Sequence, residues 1–283
     1  MIVHHSVIVH LGPLALTGFG LAMLAAFWIA QVVMTRELAR RGHDPAPRAD
    51  VLAAAVLGTL VGAKLYDVLV ITRDWHDLFT RGGFLFWGGF LGAVAACAWV
   101  LRRKRLLFTR FSDVAGIAIA AGYAGRRTGC WAIGDDYGRP WASRWAVQFP
   151  EGTPPSTAAV MARTFGTPLA PGADPAAVLA VYPTQLYEVA LELLMFAVLW
   201  RLRDHPHAEG WLFGAYLVLA GLERFAIEFL RAKDDRFLPL GLSTAQAVAL
   251  ALAFGGALWM AARWRTGRTR PGIYPASSSR AAA

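Results

Sequence analysis

Gly122-Tyr123-Ala124-Gly125-Arg126-Arg127-Thr128-Gly129-Cys130-Trp131-Ala132-Ile133-Gly134-Asp135-Asp136-Tyr137-Gly138 is the stretch that decides how the chain is read. It begins as an apolar, small-residue helix of the kind that enters a membrane. It then sets Arg126 beside Arg127, ahead of further glycines and two aspartates. A guanidinium in hydrocarbon costs about 3 kcal/mol or more unless it faces protein, a water-filled cavity or an anion, so two in a row demand a partner. Glycines at 125, 129, 134 and 138 permit close backbone approach and unusual dihedrals, which suits the wall of a pocket. The stretch predicts an anion site within the membrane, of the size and charge of a lipid phosphate.

Working outward, the composition agrees. Of 283 residues, 56% are hydrophobic, with 11 Trp and 16 Phe, and the mean hydropathy is +0.43. Apolar runs this long and frequent exclude a soluble core and predict an all-α polytopic membrane protein. The net charge of +9 and pI near 10.1 would suggest nucleic acid in a soluble chain. Here the basic residues lie between apolar runs, so membrane topology and anionic lipid headgroups account for them and no nucleic-acid partner is expected. Cys97 and Cys130 form neither a disulfide framework nor a metal set, and His4, His5 and His10 lie at the expected outer surface. Neither metal nor cofactor is expected. Residues 1–12 carry no Lys or Arg, so they lack the basic start of a cleavable signal peptide and the first span is expected to be retained.

A membrane helix needs about 20 predominantly apolar residues, and seven segments qualify: Leu14 to Met34, Val51 to Ile71, Gly83 to Leu101, Ser112 to Gly134, Pro183 to Trp200, Trp211 to Leu230 and Thr244 to Met260. The fourth carries the two arginines and is expected to be broken or tilted, lining a cavity. Lys and Arg between segments number 16 on one side and 8 on the other, which puts the N-terminus outside and the C-terminus in the cytoplasm. The long connection from Asp135 to Tyr182 then lies outside. It is rich in Pro, Thr, Ala and Gly, and predicts a small irregular cap. Residues 1–265 read as one membrane-embedded domain with 135–182 as its cap, and 266–283 as a basic cytoplasmic tail.

Within the spans only Lys64, Arg126, Arg127 and Arg224 are basic. Lys64 and Arg126 can reach an interface by snorkelling; Arg127 and Arg224 are harder to place there. On a helix Arg224 and Glu228 are i and i+4, and Glu228 and Arg231 are i and i+3, so all three share a face. That face is either a brace between helices or a guanidinium held by Glu228 and aimed at a phosphate, which the planar fork of arginine matches. Gln185 and Glu188 are i and i+3 at the start of the fifth segment, after Pro183, and point to one region; helix capping is the simpler use of such residues. Paired glycines in Gly82-Gly83-Phe84-Leu85-Phe86-Trp87-Gly88-Gly89 fit close helix packing.

Taken in order, these stretches resemble the prolipoprotein diacylglyceryl transferases of bacterial inner membranes. The resemblance runs through Gly12 to Leu16, Gly62 to Leu65, the double-glycine motif, the Gly-Arg-x-Gly signature and its continuation to Gly138, Trp145 to Pro150, Pro183 to Glu188 and Glu223 to Arg231. It implies transfer of the diacylglyceryl group of phosphatidylglycerol to the lipobox cysteine thiol at a prolipoprotein signal peptide, with release of glycerol phosphate. By position, Arg127 and Arg224 are the phosphate-gripping arginines and Glu228 orients Arg224. Gly129, Gly138, Gln185, Glu188 and Arg231 complete the expected binding residues. The chain departs from the family pattern where Trp87 replaces histidine, Phe19 tyrosine, Cys130 asparagine and Tyr182 histidine. The thiol proton then leaves through Glu188, Glu228, Asp135 or Asp136, or the chain uses another acceptor, or it only binds phospholipid.

Overall fold

The computed structural model describes residues 1–3, 8–11, 14–42, 46–76, 86–168, 172–232 and 238–264. The expectations placed on His4, His5, Gly12, Pro13, Gly82 to Leu85 and the tail at 266–283 lie outside these residues. Among the described residues eight α-helices follow in chain order: α1 (Gly18–Arg40), α2 (Pro47–Tyr66), α3 (Phe86–Arg103), α4 (Phe108–Ile133), α5 (Ala158–Phe165), α6 (Thr184–Leu202), α7 (Trp211–Glu228) and α8 (Thr244–Arg263). All but α5 fall one for one on the seven apolar segments. Gly18–Arg40, Ala49–Val70 and Thr244–Arg263 are long and apolar enough, by length and composition, to cross a membrane. Trp28 and Phe254 are 69% and 67% exposed, and Leu24, Leu57 and Leu194 point outward with them. Such a surface is stable against lipid, not against water.

Three expectations change. Leu14–Thr17 is not the start of the first helix but a strand, β2, paired antiparallel with β1 (Ile8–Leu11); the described residues are therefore helical with one added strand pair. The helix waits for Thr17, whose hydroxyl accepts from the Gly20 N–H at 3.1 Å, a helix-capping bond. The fourth segment is unbroken: α4 runs through Arg126 and Arg127 to Ile133. No break is needed, because the arginine side chains find carboxylates and an aromatic ring while the backbone keeps its own hydrogen bonds. The outer connection is also more ordered than its composition suggests. It contains α5, capped by Thr157, and a core of its own in Tyr137, Val147, Phe149, Met161 and Val181, joined by Ala232. Tyr137 stacks on Phe149 at 5.4 Å. Residues 1–3 run beside residues 146–148, exchanging backbone bonds of 2.9 and 3.0 Å with Gln148.

The described residues divide into two compact units, one of those in Met1–Val33 and 115–264, the other of those in Met34–Val114. In the second, α2 and α3 approach through Gly58, Gly62, Gly88 and Gly92. A Cβ on Gly62 would lie 2.8 Å from Gly92 Cα, and one on Gly58 2.7 Å from Ala96 Cβ. Close packing thus accounts for the described half of the paired-glycine motif, as small residues do between membrane helices. Lys64 is 7% exposed in this unit and does not snorkel. Glu37, Arg41 and Asp113 are also buried here, with Arg41 Nε donating to Glu37 at 3.0 Å.

In the first unit, Ile117 and Ala120 of α4, Met195 and Leu199 of α6, and Trp211, Leu212 and Ala215 of α7 form the apolar core. The α7–α8 contact again relies on glycine: a Cβ on Gly214 would meet Met260 Cγ at 2.7 Å, and one on Gly221 would meet Ala253 Cβ at 2.9 Å. A branched side chain at such a contact forces the backbones apart, at about 3 kcal/mol or more. Gly92→Leu is expected to cut the yield of monodisperse protein severalfold and lower its melting temperature, read by size-exclusion chromatography and thermal unfolding in detergent. Gly255→Leu, on α8 with open space around it, is expected to leave both near wild type.

Candidate active site

Arg127 sits near the C-terminal end of α4 with its side chain 2% exposed. Its Nη2 donates to Glu188 Oε1 on α6, and its Nη1 donates to Asp136 Oδ2 at 2.8 Å and lies 3.5 Å from Cys130 Sγ. Asp136 is two residues beyond Gly134 on the turn after α4. Both have left-handed backbones, with φ of 55° and 63°. Aspartate is one of the few residues besides glycine that enters that conformation readily, and the turn folds its carboxylate back over Arg127. Arg126 pairs with none of these carboxylates; its guanidinium lies 4.4 Å from the Tyr123 ring and 3.9 Å from Cys130 Sγ.

From α7, Arg224 and Glu228 make the i to i+4 pair expected of them, Nη2 to Oε2 at 2.6 Å. Arg224 also reaches Glu188 Oε1 at 3.9 Å. Arg127 and Arg224, 97 residues apart in sequence, therefore share one carboxylate. Arg231, just past α7, donates through Nη2 to Asp136 Oδ1 and lies 3.8 Å from Glu228 through Nε. The result is a closed ring of three arginines and three carboxylates: Arg127, Glu188, Arg224, Glu228, Arg231 and Asp136. Four of the six side chains are 4% exposed or less; Arg224 at 29% and Asp136 at 37% are the ring's open members. Removing one partner from such a buried arrangement strands a charge, at about 3–5 kcal/mol.

The two aspartates differ in proton affinity. Burial alone would raise the Asp136 carboxyl, but Arg231 and Arg127 outweigh it and hold it well below the usual carboxylate range. Asp135 is pushed up, by burial first and then by the charge of Asp136. Burial would weaken the Arg231 guanidinium, yet Asp136 more than offsets this and keeps it charged. A sulfur and two carboxylate oxygens, from Cys130, Asp135 and Asp136, lie within 4.8 Å of one another. Asp136 already gives one oxygen to each of two guanidinium groups, so charge at this point favours an anion over a dication.

Of the residues expected at the site, Arg127, Arg224, Glu228, Glu188 and Arg231 come together in the ring. Gln185 stands beside it, fully buried, its Nε2 donating to the Asp135 carbonyl at 2.6 Å, while Thr184 Oγ1 donates to the Asp136 carbonyl at 2.8 Å. Gly138 holds the cap against the helix ends: its N–H donates to Tyr182 O at 2.9 Å, and a Cβ there would meet Leu230 O at 2.5 Å. Gly129 is not brought to the ring. It faces α1, where a Cβ would meet Ala22 Cβ at 2.9 Å and a Phe19 ring carbon at 3.2 Å.

The sequence reading passes over Ser243, Glu192 and Glu223, and gives Asp136 only a proton-transfer role. Ser243 Oγ donates to Glu228 Oε1 at 3.2 Å while also capping α8. Glu192 lies one turn after Glu188 and Glu223 directly precedes Arg224; each has a buried oxygen, Oε2 and Oε1 respectively, without a hydrogen bond. The i, i+4 spacing of Glu188 and Glu192 is the available signal for the former.

The family model for prolipoprotein diacylglyceryl transferase matches residues 6–262. A Paraburkholderia phymatum protein named phosphatidylglycerol–prolipoprotein diacylglyceryl transferase is 33% identical over 274 residues, covering 90% of this chain and 91% of the relative. Proteins of the same name from Burkholderia thailandensis and Burkholderia mallei are each 31% identical over 299 residues, covering 94% of this chain and 98% of the relative. With its apolar helices and a match that spans nearly its whole length, the chain belongs to the prolipoprotein diacylglyceryl transferase family of bacterial membrane proteins.

Proposed function

We propose that the chain is a phosphatidylglycerol–prolipoprotein diacylglyceryl transferase of the bacterial inner membrane. It is one membrane domain over residues 1–265, with seven spans, a 135–182 cap and N-terminus outside, and a cytoplasmic tail at 266–283. The substrates are phosphatidylglycerol and a prolipoprotein signal peptide bearing the lipobox cysteine. The observation that carries the site assignment is the convergence of Arg127 and Arg224 on Glu188.

In the reaction the cysteine sulfur attacks the glyceryl carbon bonded to the phosphate oxygen. A C–S bond forms, the C–O bond breaks, and its electron pair stays on the departing phosphate. A diester with one negative charge leaves as a glycerol phosphate monoester with two, and the thiol proton passes to a carboxylate. Negative charge grows on the phosphate as the C–O bond breaks, so guanidinium groups fixed there stabilise the transition state more than the bound donor. Arg224, the open arginine of the ring, is the first contact for the phosphate. Arg127 backs it, with Glu228 and Ser243 holding Arg224 in line. Gln185 and Gly138 act by fixing the turn and the cap. Of the two aspartates on the turn, Asp136 is too weak a base, and Asp135 is the better acceptor.

Two outcomes test this. With the protein in detergent, phosphatidylglycerol and a lipobox peptide, mass spectrometry should find a diacylglyceryl adduct on the peptide cysteine. Arg127→Ala and Arg224→Ala should each lower its rate by about 100-fold or more, the scale of losing one charged stabiliser. Wild-type protein that retains phosphatidylglycerol but yields no adduct would point to another acceptor or to binding alone. Second, a base must be ionised to accept the proton, so kcat/KM should rise with pH through the elevated pKa of Asp135. Asp135→Asn should remove that limb from the pH–rate profile and cost about 100-fold in rate. A profile unchanged in the variant would exclude Asp135.

A further inference from the structure

The ring is balanced, three guanidinium groups against three carboxylates. In that state it offers a phosphate no net attraction. Yet Arg127 and Arg231 still hold buried donors without hydrogen bonds, Nε on Arg127 and Nη1 on Arg231. Those donors give an anion a foothold, but the space between the two guanidinium groups is taken by the Asp136 carboxylate that bridges them, so full engagement of both needs that carboxylate to step aside.

The three carboxylates are not equally able to do so. Glu188 is 1% exposed and sits between Arg127 and Arg224. Glu228 is 2% exposed and held by Arg224 and by the Ser243 hydroxyl. Asp136 is 37% exposed, belongs to no helix, and has a one-carbon stem. Its backbone is tied down by Thr184 on its own carbonyl and by Gln185 on the preceding one, so rotation about its side-chain bonds suffices to free both guanidinium groups. We infer that Asp136 is an internal counter-anion: it holds Arg127 and Arg231 while the site is empty, and the phosphate of the donor, entering at Arg224, displaces it from Arg127.

This rests on the transferase reading and extends it. Asp136 keeps two buried arginines neutralised without substrate, and its return as the product leaves drives out the glycerol phosphate dianion. The residue is a positioning group and a competitor, not a proton carrier. Its low proton affinity fits that use, since the carboxylate stays charged and able to compete at any pH near neutral.

The test uses the full chain in detergent, with glycerol phosphate as the probe. Asp136→Asn should bind it at least tenfold more tightly than wild type by calorimetry, and should gain more in melting temperature on its addition. In turnover the variant should show a lower KM for phosphatidylglycerol together with a lower kcat, because release slows. A structural role alone predicts the reverse, weaker binding and a raised KM, and that result, or unchanged binding in a folded variant, overturns the inference. On wild-type protein carrying 13C-labelled aspartate, infrared difference spectra should show an aspartate carboxylate band shifting when glycerol phosphate is added. No shift at saturation overturns the inference without any variant. Wild-type protein that neither binds glycerol phosphate nor transfers a diacylglyceryl group overturns the transferase reading itself, a distinct result.

Discussion

Ionic neutrality inside an apolar protein is the constraint on which the first unit depends. Arg127 cannot be buried at 2% exposure without compensating charge, and its compensation comes from Glu188 on α6 and Asp136 on the turn after α4. Glu188 in turn faces Arg224, Glu228 binds Arg224, and Asp136 binds Arg231. Three helices and the cap turn are thereby registered against one another by charge, while the shape-filling is left to Ile117, Leu199 and Leu212. Apolar packing alone tolerates a helix sliding by a fraction of a turn among similar side chains. A guanidinium fork seated on two carboxylates does not.

The same constraint explains the ordering of the cap. A turn that must return Asp136 to Arg127 is fixed at its start, and the bridge between Gly138 and Arg231 fixes its next residues to the end of α7. The rest of the loop then folds over a small aromatic core around Phe149. Chemistry and architecture coincide here, because the groups that pin the cap are the ones proposed to face the phosphate.

Long apolar runs made the seven main helices legible in sequence, and charges interrupting those runs pointed to Arg127 and Arg224. Helical spacing added Glu228, Arg231 and Glu188. Other features left no such mark. Asp136 acts through a left-handed turn whose direction no periodicity reports. Gly129 looks the same whether a helix or a substrate presses on it, and the helix α1 turned out to be its neighbour. Leu14 to Thr17 belong to an apolar run by composition, and only the Thr17 cap separates strand from helix. Continuity through Arg126 and Arg127 was hidden because the carboxylates that take Arg127 lie beyond the helix, on the following turn and on α6.

Ser243 belongs to two structures at once. Its hydroxyl accepts from Gln246 N at 3.1 Å to start α8 and donates to Glu228 at 3.2 Å. As helix caps, serine, asparagine and aspartate are close to interchangeable. At this position they are not. Aspartate would cap α8 equally well but set a fourth carboxylate against Glu228, unbalancing the ring that Glu228 belongs to, and asparagine would bring a wider amide where a single hydroxyl proton fits. The freedom to drift that a loop residue ordinarily enjoys is therefore withdrawn here by electrostatics propagated from a neighbouring helix.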